Sequence, residues 1–330
     1  MMRSLYSGIS GLKNHQTRMD VIGNNIANVN TVGYKTSRVV FQDIFNQTVK
    51  SGTMDLYERN IRNLGGTNPT QIGLGVKLAT VDVLHTPAPI TRTDNPFDMM
   101  IEGDGFFILQ NEDGDPFYTR AGNFYLDDEG YLVSAHGYYV LGYNLALEFD
   151  PGEPPQLGPG GEVIDPGLPP ALMVDPLGDG PSDTLDKIRL RWVNPDYAGM
   201  DDPTDPAYVG PEFIDLIGFN VGQDGSVSVI IDNIKQTIAY LGIGMFPNPG
   251  GLEKAGDSLY REGPASGHVV ETKALTDGAG RILGGGLEMA NVDLATEFTD
   301  MIITQRGFQA NARIITVSDT LLEELVNLKR

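Results

Sequence analysis

Two amphipathic stripes at opposite ends of the chain constrain its fold more than anything between them. From residue 291 the text runs NVDLATEFTDMIITQRGFQANARIITVSDTLLEELVNLKR, and Leu294, Phe298, Met301, Gln305, Phe308, Ala312, Ile315, Asp319, Leu322 and Val326 recur at alternating spacings of four and three. Ile302, Ile303, Leu321, Leu325 and Leu328 widen that stripe. The spacing is a heptad seam and predicts one long helix, with Asn291 as its cap and Asp293 in the first turn, where the helix dipole favours an anion. Residues 4–29 repeat the design, with Leu5, Ile9, Leu12, Met19 and Ile26 on the seam and Gln16 at the missing beat. Ser4 is read as the N-cap and Gly33 as a left-handed C-terminal residue. This first helix would be roughly 38 Å long at about 1.5 Å per residue.

Such stripes need partners, because left bare they would expose a large apolar surface to water. Two arrangements satisfy them: the end helices pair within one chain, or they also pack against other copies. Gly8, Gly11 and Gly23 in the first helix and Gly307 in the last each cost about 1 kcal/mol of helix stability relative to alanine. Both helices therefore depend on packing for their order. Neutral amides at Gln16, Asn24, Asn25, Asn28 and Gln305 lie on or beside the seams, where they fix register at some cost in stability. Both features favour assembly between copies, with the seam residues and these amides as the self-assembly surface. The run GNNIANVN is expected to satisfy polar groups between packed subunits without adding charge. The alternative is a frayed, solvated helix end.

Between the stripes the chain reads as β structure. Forty-one glycines and 21 prolines punctuate short alternating runs, the signature of a turn-rich β body. Residues 31–75 form an extended polar linker with aromatic anchors at Tyr34, Phe41, Phe45 and Tyr57. From Val76 onward strands recur in VKLATVDVL, MMIEGDGFFILQ and YTRAGNFYLDDEGYLVSAHGYYVLGY, the last a β-meander broken at DDEG and AHG. Residues 146–212 hold 13 prolines and 14 acidic against 3 basic residues, and are read as an inserted acidic outer segment with one small β unit around KIRLRWVN. EFIDLIGFNVGQDGSVSVIID and IAYLGIGMF then resume the strand pattern. The expected fold class is α+β, mainly β: paired long N- and C-terminal α-helices, coiled-coil-like, over 1–30 and 291–330, plus a discontinuous β-rich body over 76–145 and 213–290 carrying an inserted small β domain.

Charge and composition remove several functions. A net charge of −21 disfavours nucleic-acid binding, which needs a cationic surface that releases counterions. The absence of cysteine excludes disulfides, thiol catalysis and thiolate metal sites. No run approaches the 18 or so apolar residues of a bilayer span, so no membrane insertion is expected. Ser4, Ser7, Ser10, Lys13 and Asn14 interrupt any signal-peptide core behind Arg3.

Catalytic patterns are likewise missing. His15, His85, His136 and His268 stand singly without a second ligand at metal spacing, and are read as surface or turn residues. GxSxG, HExxH and the phosphate-binding GxxxxGK[ST] do not occur, and DGAGRILGGG lacks the glycine placement of a dinucleotide loop. NEDGDP sets Asn111, Asp113 and Asp115 at alternate positions like the start of a calcium loop, but Pro116 replaces the turn glycine, so a hairpin tip is expected. The acidic pairs Asp127–Asp128 and Asp201–Asp202 fall in turn-like text. No catalytic, cofactor-binding or metal-ligating residue is assigned, and the chain is not read as an enzyme.

SGISGLKNHQTRMDVIGNNIANVNTVGYK, GDGFFIL, YTRAGNFYLDDEGYLV, FPNPGGLEKAGDSLY and the C-terminal stripe resemble, in that order, the bacterial flagellar rod and hook axial proteins. The resemblance covers nearly the whole chain except 146–212. SLYSGISGL, IGNNIANVNTVGYK and QRGFQANARIITVSDTLLEELVNLKR look most like the hook branch, with the distal rod protein as the alternative. The resemblance implies a helical homopolymer forming a flexible tube that joins rod to filament, with the terminal helices lining its channel. It also implies a subunit exported through the flagellar type III apparatus without a cleaved signal peptide, extracellular, meeting rod, hook cap and hook–filament junction proteins. The acidic segment would face outward and ease sliding by like-charge repulsion. A secreted carbohydrate-active or adhesive β protein would share the acidity and turn density but has no need of heptads at both ends.

Overall fold

The computed structural model describes residues 2–52, 67–145, 147–150, 156–157, 163–165, 171–174, 185–193, 213–215, 217–231 and 234–328. It divides into two compact units, one of residues 1–29, 35–85 and 292–330, the other of residues 30–34 and 86–291.

The first unit contains both end helices, α1 (Met2–Ala27) and α2 (Leu294–Leu328), which run against each other. Beside them lie β1 (Ser37–Asp43), β2 (Asn46–Lys50), β3 (Thr70–Gly73) and β4 (Val76–Val83), paired antiparallel as β1 with β4 and β2 with β3. The segment VKLATVDVL, expected to open the β body, thus belongs with the helices. Two hydrogen bonds place it there: Nδ2 of Asn14 donates to the Val76 carbonyl at 2.7 Å, and the Val76 amide donates to Oγ of Ser10 at 3.4 Å. The linker read over 31–75 contains three of these strands, while its anchor Tyr57 lies outside the described residues.

Two cap assignments need correction. Ser4 lies inside α1, and its Oγ is 3.4 Å from Oγ of Ser318 on α2. Asp293, rather than Asn291, caps α2: its carboxylate accepts from the Ala295 amide at 3.0 Å and the Thr296 hydroxyl at 2.6 Å. Those bonds hold the Asp293 carboxyl below its ordinary range, the Thr296 bond contributing most. Asn291 instead donates through Nδ2 to Oγ1 of Thr86 at 2.9 Å. Gly33 does adopt the left-handed conformation expected of it, with φ +67°.

The second unit is the β body. Its strands are β5 (Ile90–Arg92), β6 (Met99–Glu102), β7 (Phe106–Gln110), β8 (Pro116–Thr119), β9 (Phe124–Leu126), β10 (Leu132–Ser134) and β11 (Tyr139–Asn144). Then follow β12 (Leu147–Asp150), β13 (Gln156–Leu157), β14 (Val163–Asp165), β15 (Ala171–Val174), β16 (Asp186–Lys187), β17 (Arg191–Val193) and β18 (Phe213–Asp215). The last are β19 (Ile217–Val221), β20 (Ser226–Ile231), β21 (Ile234–Met245), β22 (Glu253–Gly256), β23 (Leu259–Arg261), β24 (Val270–Lys273), β25 (Arg281–Gly284) and β26 (Gly286–Glu288). The main sheet runs β19-β20-β21-β11-β7-β8-β23-β22. The meander is present as β9, β10 and β11 in adjacent antiparallel register, and NEDGDP is the tip of the β7–β8 hairpin.

β7 shows how the sequence builds the core. Side chains alternate across a strand, so FFIL sends Phe107 and Leu109 into one cluster with Phe124, Leu132 and Leu241, and Phe106 and Ile108 into a second with Tyr118, Phe246 and Tyr260. Both sheet faces are covered, which is why the run is apolar throughout.

The segment read as inserted, 146–212, is divided by this sheet. β16 pairs with β11, and Ile188 and Leu190 are buried in the main core. KIRLRWVN therefore begins within the body, and only its end, β17, forms a separate two-stranded pair with β18. β12 pairs with β15, and β13 with β14. The remainder of the segment, with Asp201 and Asp202, lies outside the described residues.

Candidate assembly surface

The seam between α1 and α2 is made largely of small and polar residues, with Ile22 buried among them and Ile315 against Gly8. Ser4, Gly8, Gly11, His15, Arg18, Ile22 and Asn25 succeed one another at heptad spacing on α1, one position away from the apolar stripe. Facing them on α2 are Asp300, Thr304, Gly307, Asn311 and Ser318. The glycines permit the close approach. A methyl group on Gly11 would stand 2.7 Å from Nδ2 of Asn311, and one on Gly307 would stand 2.7 Å from Cε1 of His15. Arg18 closes the seam with an ion pair to Asp300 at 2.9 Å. Gly8, Gly11 and Gly307 thus exchange intrinsic helix stability for contact between backbones.

His15 departs from its reading as a surface residue. Its ring lies across Gly307 and meets the Phe41 ring edge-on at 6.0 Å. Burial, and secondarily the charge of Arg18, push its pKa below the ordinary histidine value. Both effects favour the neutral imidazole.

The asparagine run divides by function. Asn25 is 1 % exposed and joins three elements: Nδ2 donates to the Ser37 carbonyl at 2.9 Å and to Oε1 of Glu297 on α2 at 3.0 Å, while Oδ1 accepts from the Ser37 amide at 3.0 Å. Burial raises the Glu297 pKa, against the opposing effect of the Asn25 bond. Asn28 turns back on its own helix, donating to the Asn24 carbonyl at 2.9 Å. One amide thus fastens α1 to β1 and α2, and Asn24 and Asn28 finish the last turn.

The apolar stripes flank this seam, and part of their surface is left exposed. Ile9, Leu294 and Phe298 are exposed, as are Ile302 (58 %), Ile303 (56 %), Val317 (57 %) and Val326 (67 %). Leu5, Leu12, Met19, Ile26, Met301, Phe308, Ala312, Ile315 and Leu322 are half-buried along the flanks of the seam, and Gln16 and Gln305 are exposed. Periodicity located these residues, but not the inner face they leave free. The glycines at 8, 11 and 307 were the available signal for that face.

Within the β body, residues 30–34 are held by a buried ion pair and its surroundings. The Gly33 amide donates to the Glu288 carbonyl at 2.8 Å, and the Asn291 amide to the Tyr34 carbonyl at 3.3 Å. The Glu288 carboxylate lies 3.5 Å from Nη1 of Arg120, both side chains being almost fully buried. The guanidinium also donates to the Ile101 carbonyl at 3.3 Å and sits 5.2 Å above the Phe106 ring. Burial lowers the Arg120 pKa and the adjacent Glu288 opposes that shift. Such a pair fixes geometry more than it adds stability. Among the described residues no group of three or more acidic or histidine side chains is placed to hold a metal, and no helix is long and apolar enough to cross a membrane.

Three family descriptions match the chain: "Flagella basal body rod protein" over residues 5–35, "Flagellar hook protein FlgE/F/G D1 domain" over 100–176, and "Flagellar basal body rod FlgEFG protein C-terminal" over 283–328. The first and third fall on the helical ends, the second on the β body. Among curated relatives, the flagellar basal-body rod protein FlgG of Bacillus subtilis is 42% identical over 100% of both chains. The flagellar hook protein FlgE of Borreliella burgdorferi is 33% identical, and that of Treponema pallidum 30% identical, each again over 100% of both chains. Full-length identity at these levels, on the very segments that build the paired helices and the β body, places this chain in the flagellar hook and basal-body rod protein family.

Proposed function

We propose that this chain is the structural subunit of the flagellar hook, polymerising helically through its end helices into a flexible tube that transmits torque from rod to filament. The observation that carries this reading is the row of exposed apolar residues along α2, among them Leu294, Phe298, Ile302, Ile303, Val317 and Leu325. A single chain leaves them in water, and they offer a surface for packing against neighbouring copies. At about 25 cal/mol per Å² of apolar surface buried, such an inner shell holds subunits together under load. Sliding contacts over the acidic, proline-rich part of 146–212 that lies apart from β16, Ile188 and Leu190 would let the tube bend.

This reading brings the expected partners with it: further copies, the rod below, the hook cap and hook–filament junction proteins above, and the type III export apparatus that delivers the chain outside the cell. Its role is mechanical rather than catalytic. A second reading, the distal rod, is favoured by the 42% identity to a protein named as a rod component.

Electron microscopy of the purified full-length chain tests both. Curved tubes support the hook and straight, rigid tubes the rod. Ile303→Asp, which charges the exposed stripe without touching the seam, should abolish tubes while leaving the circular dichroism of the monomer unchanged. Failure of the unsubstituted chain to form tubes, or normal tubes from Ile303→Asp, would refute the reading.

A further inference from the structure

The chain passes into or out of the β body four times, after residues 29, 34, 85 and 291. Apolar packing contributes little at these passages: Asn30, Thr86, Pro87, Pro89 and Ile90 are exposed, and Ala88 is half-buried. Their order comes from polar bonds, and these converge on residues 288–291. The Glu288 carbonyl accepts from the Gly33 amide at 2.8 Å, Oε1 of the same residue accepts from the Ala88 amide at 3.2 Å, and the Met289 amide donates to the Pro89 carbonyl at 3.0 Å. Asn291 completes the set, its amide donating to the Tyr34 carbonyl at 3.3 Å and its Nδ2 to Oγ1 of Thr86 at 2.9 Å. All four passages therefore meet one short stretch at the end of β26.

One side-chain pair connects that stretch to the core. Glu288 is 1 % exposed and Arg120 2 %, and Oε2 of the carboxylate faces Nη1 of the guanidinium at 3.5 Å. The guanidinium in turn donates to the carbonyl of Ile101, which belongs to one core cluster, and lies over the ring of Phe106, which belongs to the other. Gly33 is pressed against the same place. A methyl group there would stand 2.6 Å from the Ala121 amide nitrogen, so the 30–34 segment fits only with glycine at this point. A buried pair of this kind adds little net stability, yet it specifies one arrangement, and groups sharing such a network open together.

We infer that Glu288 and Arg120 form a clasp that ties the four passages to the core, so that they open as a single unit when the pair parts while the sheet around β7 stays folded. Under the torque proposed above, force carried along these passages reaches the core through this pair, and the passages yield together. The clasp is a property of the single chain and stands whether or not the polymer reading does.

Native-state hydrogen exchange of the dilute full-length chain tests it. In the parent, the amides of Gly33, Ala88, Met289 and Asn291 should share one opening equilibrium and one urea dependence, opening more readily than the Leu109 amide in the core. Different equilibria among the four would overturn the clasp, and that measurement needs no variant to fold. The double variant Arg120→Met, Glu288→Met replaces the charged pair with apolar side chains and leaves no buried charge unpaired. It should lower protection at Gly33 and Ala88 by about tenfold, by the same factor at both, as expected for loss of a hydrogen bond to a charged group, with Leu109 unchanged. Gly33 is the decisive probe, because its own acceptor is the backbone carbonyl of residue 288 and survives the substitution. Unchanged protection at Gly33, or an equal fall at Leu109, would overturn the inference.

Discussion

Asn25 is the most demanding single residue of the helical unit. Its side chain is hydrogen-bonded twice to the Ser37 backbone and once to the Glu297 carboxylate. Neutral hydrogen bonds contribute about 0.5–1.5 kcal/mol each, and one to a charged group about 1.5–3. Glu297 is only partly buried, so water would take over at that end and the lower figure applies there. Asn25→Ala should therefore cost about 3 kcal/mol, most of it from loss of the two bonds to the Ser37 backbone. Asn25→Asp separates hydrogen bonding from shape. It retains the acceptor for the Ser37 amide but turns a carboxylate toward the Ser37 carbonyl and Glu297. Both acids then have folded-state pKa values above their unfolded ones, so the folded state binds more protons and stability falls as pH rises through and above the ordinary glutamate value of 4.5. Urea unfolding of the dilute full-length chain, followed by helical circular dichroism, measures both effects. Asn25→Asp should be the worse variant at pH 7 and should recover relative to Asn25→Ala as pH approaches 4.5. An Asn25→Ala chain within about 0.5 kcal/mol of the parent, or an Asn25→Asp deficit that ignores pH, would refute this account of the latch.

Helix glycines should separate by position. A methyl group on Gly23 meets nothing within 4 Å, so Gly23→Ala should stabilise by about 1 kcal/mol, whereas Gly307→Ala should destabilise by displacing the His15 ring, both read from urea midpoints. The seam should also weaken in mild acid. His15 has a folded-state pKa below the unfolded value of 6.5, so the folded state binds fewer protons, and the stability present above 6.5 is lost as pH falls through that value toward the folded pKa. His15→Gln should flatten stability against pH over that window, and an unaltered slope would show that another group titrates.

The elements of this protein were legible where their signals are local. Both long helices, the meander and the hairpin tip at Asn111–Asp115 follow from side-chain period and turn residues, which act over a few neighbours. Other assignments failed where partners are distant in sequence. VKLATVDVL reads as any other strand until Asn14 and Ser10 claim it for the helices. Ile188 and Leu190 sit in proline-rich text yet complete the core of the body, because β16 pairs with β11 more than 40 residues away.

The sidedness of the helices shows the same division. From its own residues the chain determines that each end carries an apolar stripe and, one position over, a face richer in small and polar residues. Only the tertiary structure decided that the small face turns inward. Hydrophobicity alone favours burying the apolar stripe, but backbones approach closely only where side chains are absent, and Asn25, Arg18 and the glycines at 8, 11 and 307 supply matched polar contacts and space on that face. The choice depends on how two distant surfaces fit, which no spacing within either helix encodes, and its result is a single copy that leaves part of its apolar stripes, such as Ile9, Phe298 and Val326, exposed.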